Sequence, residues 1–284
     1  HKIAMIQKEK FSVFFDNITE IKIGLDYYTD FKKVINNVNT ISLRLTQLNY
    51  LVGQKDMRKA VEEVWEENPK AFSVMGIHVA VRKKQNKKAW GRDGSERLVY
   101  NYFDSVDHIM EFIEDSGLLT VLQDKHIKNL VDYVFGVETG LDTHGRKNRI
   151  GEIMASKIAQ QFDEANISYE REVQSKKFPA IKSVLGKDSK RFDFVISCPS
   201  KKYLVEVNYY GTQGSKVTEI PRSYMDVAKK INSVEGFEFV WITDGIGWKK
   251  AKEQLNEAYD EIPNVYNLNT LQDFINKILQ DTKN

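Results

Sequence analysis

The stretch RFDFVISCPSKKYLVEVNY, residues 191–209, decides how this chain is read. Two runs that would otherwise be buried flank a short connection, Cys198 to Lys202, that contains Pro199. This pattern predicts a hairpin with strands at 191–197 and 203–209. One acid interrupts each run: Asp193 in the first and Glu206 in the second. Alternate residues of a strand share a face, so Glu206 and Asn208 point to the same side. Pairing through the turn lets Asp193 face Glu206. Carboxylates placed in this way repel each other unless a cation bridges them. Hard oxygen ligands of this kind suit Mg²⁺, which keeps several waters and binds substrate phosphate. The alternative is an edge-of-sheet pair neutralised by lysines such as Lys190 and Lys202.

Outward from the hairpin, the second half of the chain alternates strand and helix. A helical pattern opens at Asn148 and runs through Ile153, Ile158, Ala159 and Phe162. A strand follows at 167–173. Beyond the hairpin come a helix at 221–231 with Pro221 near its first turn, an apolar strand at 237–243 and a helix at 248–259. A short strand at 264–268 and a helix at 270–279 end the order. That order indicates an α/β unit with a mixed sheet. Glu152, one turn into the first of these helices, is a third acid within reach of the same metal, or an acid that complements the helix dipole.

The first half reads as helical. Phe31, Val34, Ile35, Val38, Ile41, Leu45 and Leu48 make one apolar face, with Asp30 as N-cap and Gly53 as stop. Further helices are expected at 56–67, 72–84, 105–115 and 123–135, and a loop with a short strand at 86–100. The natural cut is near residue 140. It leaves a mainly helical region, 1–140, as a candidate for dimerisation or DNA contact, and an α/β region, 141–284. Trp65, Trp90, Trp241 and Trp248 are read as core residues.

Charge and composition narrow the function. The chain has 284 residues and a net charge of +2, but residues 141–216 hold 14 Lys or Arg against 9 Asp or Glu. A local basic excess of this kind can serve a polyanion, because neutralised phosphates release counterions. A single cysteine, Cys198, excludes a disulfide framework and any multi-cysteine zinc site. A reducing cytoplasm suits such a chain, and no apolar run approaches the length needed to span a bilayer. Arg146, Lys147, Asn148 and Arg149 precede a helix start, where side-chain cations and backbone N–H groups together make a phosphate clamp. Arg can read guanine and Asn adenine in the major groove. Gln213, Ser215 and Lys216 lie in a polar, glycine-containing loop beside the acids and are further DNA-contact candidates.

Asp193 followed by Glu206-Val207-Asn208 resembles the signature of the PD-(D/E)XK nucleases. Longer matches carry a more specific resemblance. They are Leu130 to Glu138, Gly140 to Thr143, Gly145 to Arg149, Arg191 to Ile196, Gly214-Ser215-Lys216 and Trp241 to Gly245, with Leu25 to Phe31 near the N-terminus. Together they resemble the DpnII/MboI family of type II restriction endonucleases over roughly residues 25–275. The resemblance implies a restriction-endonuclease-like α/β core and a homodimer that cuts double-stranded DNA at the palindrome 5′-GATC, before the G. Cleavage would be blocked by adenine methylation, and an adenine DNA methyltransferase would protect the host. Asp193 and Glu206 would hold Mg²⁺, with the Val207 carbonyl as an extra ligand.

One departure stands out. Asn208 occupies the position where that superfamily places a lysine, and an amide carries no charge and cannot act as a base. Lys216, ten residues after Glu206, is a candidate to supply the missing charge, and a metal-activated water is another route. Two rival readings follow from Asn208 and from the shared core: a DNA-binding module with a degenerate site, and a structure-specific repair nuclease.

Overall fold

In the computed structural model, which describes residues 1–211 and 219–283, the hairpin forms as the sequence predicts. Strands β4 (Arg191–Ser197) and β5 (Lys202–Tyr209) pair antiparallel, with Phe194 opposite Val205 and Ser197 opposite Lys202. The turn closes when the Cys198 N–H reaches the Lys201 carbonyl at 2.8 Å. The hairpin lies at the centre of a five-stranded sheet ordered β3-β4-β5-β6-β7, where β3 is Glu170–Gln174, β6 is Phe237–Asp244 and β7 is Val265–Tyr266. β3 joins β4 antiparallel, while β5, β6 and β7 run parallel, so the sheet is mixed. Parallel neighbours need a crossover, and helix α9 (Glu219–Asn232) supplies it between β5 and β6.

Alternating residues sort the sheet into two buried faces. Val195, Leu204, Phe239 and Trp241 pack on one side with α8 (Pro179–Leu185), α9 and α10 (Lys252–Glu261). Phe194, Ile196, Tyr203, Val205, Val240 and Ile242 pack on the other with α7 (Arg146–Glu164) and α11 (Leu271–Lys283). Each central strand is therefore apolar on both faces, which explains its unbroken hydrophobic text.

The chain divides into two compact units, Gly24–Arg146 and His1–Ile23 with Lys147–Asn284. The first 23 residues thus belong with the sheet, whereas a single cut near residue 140 leaves them in the helical region. The reason is helix α1 (Lys2–Asp16), whose Phe11 and Phe14 pack in tilted contact with Tyr259 of α10 at 5.4 and 5.1 Å between ring centroids. The helical unit contains α2 (Phe31–Leu48), α3 (Met57–Glu67), α4 (Val106–Asp115), α5 (Leu118–Leu122) and α6 (Leu130–Asp142) around one core. Its caps are those the sequence supplies: Asp30, Asp56 and Ser105 each accept a backbone N–H from the first turn.

Three expectations in this unit are corrected. Residues 69–79 wind as a 3₁₀ helix rather than as part of an α-helix at 72–84, with Pro69 at its start. The helix expected at 123–135 starts only at Leu130, as α6, after a loop that follows α5. Trp90 is not core: it is 72% exposed on a two-stranded hairpin, β1 (Lys88–Trp90) and β2 (Glu96–Leu98). Trp241 and Trp248 are fully buried, as expected. Among the described residues no helix is long and apolar enough to cross a membrane.

Candidate active site

Continuing the register one step beyond Phe194 and Val205 brings Asp193 opposite Glu206. At that step the ladder opens, and the Val207 N–H turns to the Asp193 carboxylate, Oδ2, at 2.7 Å. One Asp193 oxygen is thereby committed to the backbone. Glu206 lies on the face covered by α9, where the Tyr224 hydroxyl approaches its Oε2 at 3.4 Å. Glu206 is pushed up to about 7, first by burial and then by the charge of Asp193, while Lys190, the Tyr224 hydroxyl and Arg191 pull it back. Burial also raises Asp193, against the pull of the Val207 N–H. Tyr224 is held well above the usual phenol range by burial and by both acids.

The nearby guanidiniums are engaged elsewhere. Arg191 faces Glu172 at 3.9 Å and Arg171 faces Glu152 at 3.8 Å. Lys202 donates to Ser197 Oγ at 3.0 Å and lies over the Phe178 ring. Lys190 lies over the Tyr224 ring, 5.4 Å from its centroid. Lys202 is therefore not a counterion of the pair, whereas Lys190 acts on Glu206 through its charge without forming an ion pair with it. Among the described residues, two acids share a half-buried site with one backbone N–H and one long phenol contact between them. This donor set fits a hard divalent cation, which relieves the repulsion that the pair otherwise carries.

Asn208 points to the same face as Glu206, and its Oδ1 accepts the Trp241 indole N–H at 2.6 Å. Its acceptor is thus occupied, leaving the amide hydrogens to donate. Glu152 is not drawn to the pair: its side chain is 68% exposed and faces Arg171. Among the described residues, no group of three or more His, Cys, Asp or Glu side chains gathers where it could hold one metal ion. Gln213, Ser215 and Lys216 lie outside the described residues.

The basic run straddles the division between the two units. Helix α7 opens at Arg146, two residues earlier than expected, directly after a 3₁₀ turn at Thr143–Gly145. The Arg146 N–H is already spent on the Thr143 carbonyl, so the clamp here rests on side chains. The Arg146 guanidinium donates to the Tyr28 carbonyl at 3.1 Å and lies over the Tyr28 ring. Lys147 and Asn148 are exposed. The helical unit has its own basic cleft of about 380 Å³, lined in part by Lys33, Arg44, Arg82, Lys83 and Lys84. The buried Glu138 pins Arg82 at its wall.

Sequence reasoning missed Tyr224, which has no local link to the acids and reaches them only because α9 crosses over their strand. It also missed the role of Asp244, a fully buried acid at the end of β6. Asp244 accepts the N–H groups of Thr19, Gly245 and Leu268 at 2.8, 2.9 and 3.0 Å, and so ties together three segments of the unit.

A mixed sheet that presents paired acids on its central hairpin has the form expected of a hydrolytic nuclease. Comparison with known proteins gives the particular kind. Residues 10–277 match the model of the DpnII restriction endonuclease family. The chain is 50% identical to the type II restriction enzyme MboI of Moraxella bovis, over 95% of this chain and 96% of that one. It is 37% identical to the type II restriction enzyme DpnII of Streptococcus pneumoniae, over 97% of this chain and all of that one. It is 31% identical to the type II restriction enzyme MjaIII of Methanocaldococcus jannaschii, over 93% of this chain. No solved structure matches the chain. The chain belongs to the DpnII restriction endonuclease family and is a type II site-specific deoxyribonuclease.

Proposed function

We propose that the enzyme is a Mg²⁺-dependent homodimer that cuts both strands of DNA at 5′-GATC, before the G. Methylation of the adenine blocks it, and it works in the cytoplasm beside an adenine DNA methyltransferase. The recognition sequence, the methylation block and the dimer rest on the resemblance to the DpnII/MboI family. The observation that carries the chemistry is the acid pair, Asp193 and Glu206, half-buried and short of hydrogen-bond donors among the described residues.

In this reading Asp193 and Glu206 hold Mg²⁺, with the Val207 carbonyl as a further ligand. The ion supplies Lewis-acid stabilisation of charge on the phosphodiester and lowers the pKa of the attacking water. The protein's own residues hold the pair in place. The Val207 N–H fixes one Asp193 oxygen, so the carboxylate cannot rotate freely. Trp241 fixes Asn208, whose amide hydrogens then face the site as donors to a phosphate oxygen or to water. Arg146, Lys147, Asn148 and Arg149 contact the duplex, as do Gln213, Ser215 and Lys216. The cleft lined by Lys33, Arg44 and Lys83 gives the helical unit a second phosphate contact.

The test is digestion of unmethylated and adenine-methylated plasmid with Mg²⁺, followed by sequencing of the fragment ends. The expected ends are 5′-phosphorylated GATC overhangs from the unmethylated plasmid alone. Ends of any other sequence refute the proposed specificity.

A further inference from the structure

The strand that carries Glu206 offers a neutral amide two residues on, and that amide's oxygen is committed to Trp241. We infer that Lys190 supplies the positive charge of the site, as a catalytic residue that contacts the phosphate under attack. The inference rests on the acid pair being the active site.

Lys190 immediately precedes β4, three residues ahead of Asp193. Its backbone is gripped from both sides by one buried residue. The Lys190 N–H donates to Ser175 Oγ at 3.0 Å, and its carbonyl accepts the Ser175 N–H at 2.7 Å. This grip sets the direction in which the side chain leaves the backbone. The ammonium then lies over the Tyr224 ring, 5.4 Å from its centroid, and the same tyrosine reaches Glu206 through its hydroxyl at 3.4 Å. Ammonium, phenol and carboxyl thus lie in sequence on the face that presents the acids.

The contact with Tyr224 is what leaves the charge available. An aromatic face attracts a cation without neutralising it. Among the described residues no carboxylate lies within ion-pair distance of Lys190, whereas Arg171 and Arg191 each have one. A half-buried ammonium that feels the charge of Glu206 but contacts no carboxylate is well placed to contact an anion. A phosphodiester brought to the acid pair gathers negative charge on its non-bridging oxygens as water attacks. A fixed N–H donor there stabilises that charge without needing to reorganise.

The experiment is single-turnover cleavage of a duplex that the wild-type enzyme cuts, at saturating enzyme, by Lys190→Met and Lys190→Arg. Affinity for the same duplex and melting temperature are measured in parallel, with Glu206→Gln as control. We expect Lys190→Met to lose about 10²-fold or more in rate, the scale of one lost charge-stabilising donor. Affinity should stay within about threefold, so that the loss is in the chemical step, and the melting temperature should be kept. Lys190→Arg should recover at least about tenfold of the loss, since it restores charge and donors but not shape. A Lys190→Met rate equal to wild type overturns the inference, and so does a loss confined to affinity or to melting temperature. A Glu206→Gln control that cuts like wild type refutes the acid-pair reading instead, so the two failures are distinguishable.

Discussion

Asp244 at the end of β6 and Glu206 in the middle of β5 are both carboxylates in strands that are otherwise apolar. They are solvated in opposite ways. Asp244 has three backbone N–H donors, all within 3.0 Å, from segments far apart in sequence. Glu206 has one phenol at 3.4 Å and a second acid for a neighbour. A buried carboxylate saturated with backbone donors is a fastener, because each N–H it satisfies would otherwise be left unpaired. A carboxylate that has few donors among the described residues and is crowded by like charge has room for a cation as a partner. The number and origin of the donors, rather than burial, separate the structural acid from the one proposed to be catalytic.

That contrast is broken most severely at the fastener. Gly245, next to Asp244, has φ of +115°, and a Cβ there would stand 2.1 Å from the Tyr210 carbonyl oxygen. Gly245→Ala is expected to cost more than about 4 kcal/mol, as an unrelievable backbone clash does, read by urea denaturation. A loss below about 1 kcal/mol would mean that the approach of Tyr210 is not required. Asp244→Ala strands three N–H groups, those of Thr19, Leu268 and the buried Gly245, and is expected to cost about 3 kcal/mol or more. Cleavage by the surviving folded protein should be unchanged, which distinguishes a fastener from a catalyst.

At the other acid the sign reverses. Glu206 titrates near 7 in the folded protein and near 4.5 as an ordinary glutamate. Its protonated form is the one the fold prefers, so its contribution is complete below pH 4.5 and is lost as pH rises through 7. Glu206→Gln should therefore stabilise the metal-free protein by about 1–3 kcal/mol at pH 8 and by little at pH 4.5. A variant less stable than wild type at pH 8 would show that Glu206 is already well partnered.

The helical unit carries the opposite linkage. His78 is buried with Nδ1 on the Met75 carbonyl at 2.9 Å, and its Nε2 has no partner among the described residues. Burial lowers it to about 4 from 6.5. The unfolded chain takes up a proton below 6.5 that the folded chain refuses until about 4, so stability falls across that window as pH drops. His78→Gln should flatten this acid limb by about 1–2 kcal/mol, measured as melting temperature between pH 7 and pH 5. An unchanged slope would place the acid sensitivity elsewhere.

The sequence showed the hairpin and the acids because their signals are local. An acid in an apolar run and a proline in a four- or five-residue connection need no knowledge of the rest of the chain. The strand limits at 191–197 and the helix start after Asp30 were legible for the same reason, whereas the α-helix ends at Leu48 and tightens into a 3₁₀ turn before the expected stop at Gly53. What was not legible depends on distant pairing. The three donors to Asp244 come from residues 19, 245 and 268, and Tyr224 reaches Glu206 only through the crossover geometry. Helix α1 has a readable apolar spacing at Phe11, Phe14 and Phe15, but its exposed Ile3, Met5 and Ile6 blur the pattern. The 3₁₀ stretch at 69–79 resembles an α-helix in sequence because both repeat apolar residues at three-residue steps. Lys190 was legible only as a possible counterion, and its grip by Ser175 was not.

The central claim is that the under-solvated pair, and not another acid, does the cutting. Asp193→Asn tests it most directly, since an asparagine oxygen can still accept the Val207 N–H while the ligand charge is gone. The variant, with its melting temperature checked in the same buffer, is incubated with unmethylated plasmid and Mg²⁺ at an enzyme concentration where wild type digests to completion. The account predicts a folded protein and intact plasmid. Discrete fragments formed at the wild-type rate by the folded variant would contradict it.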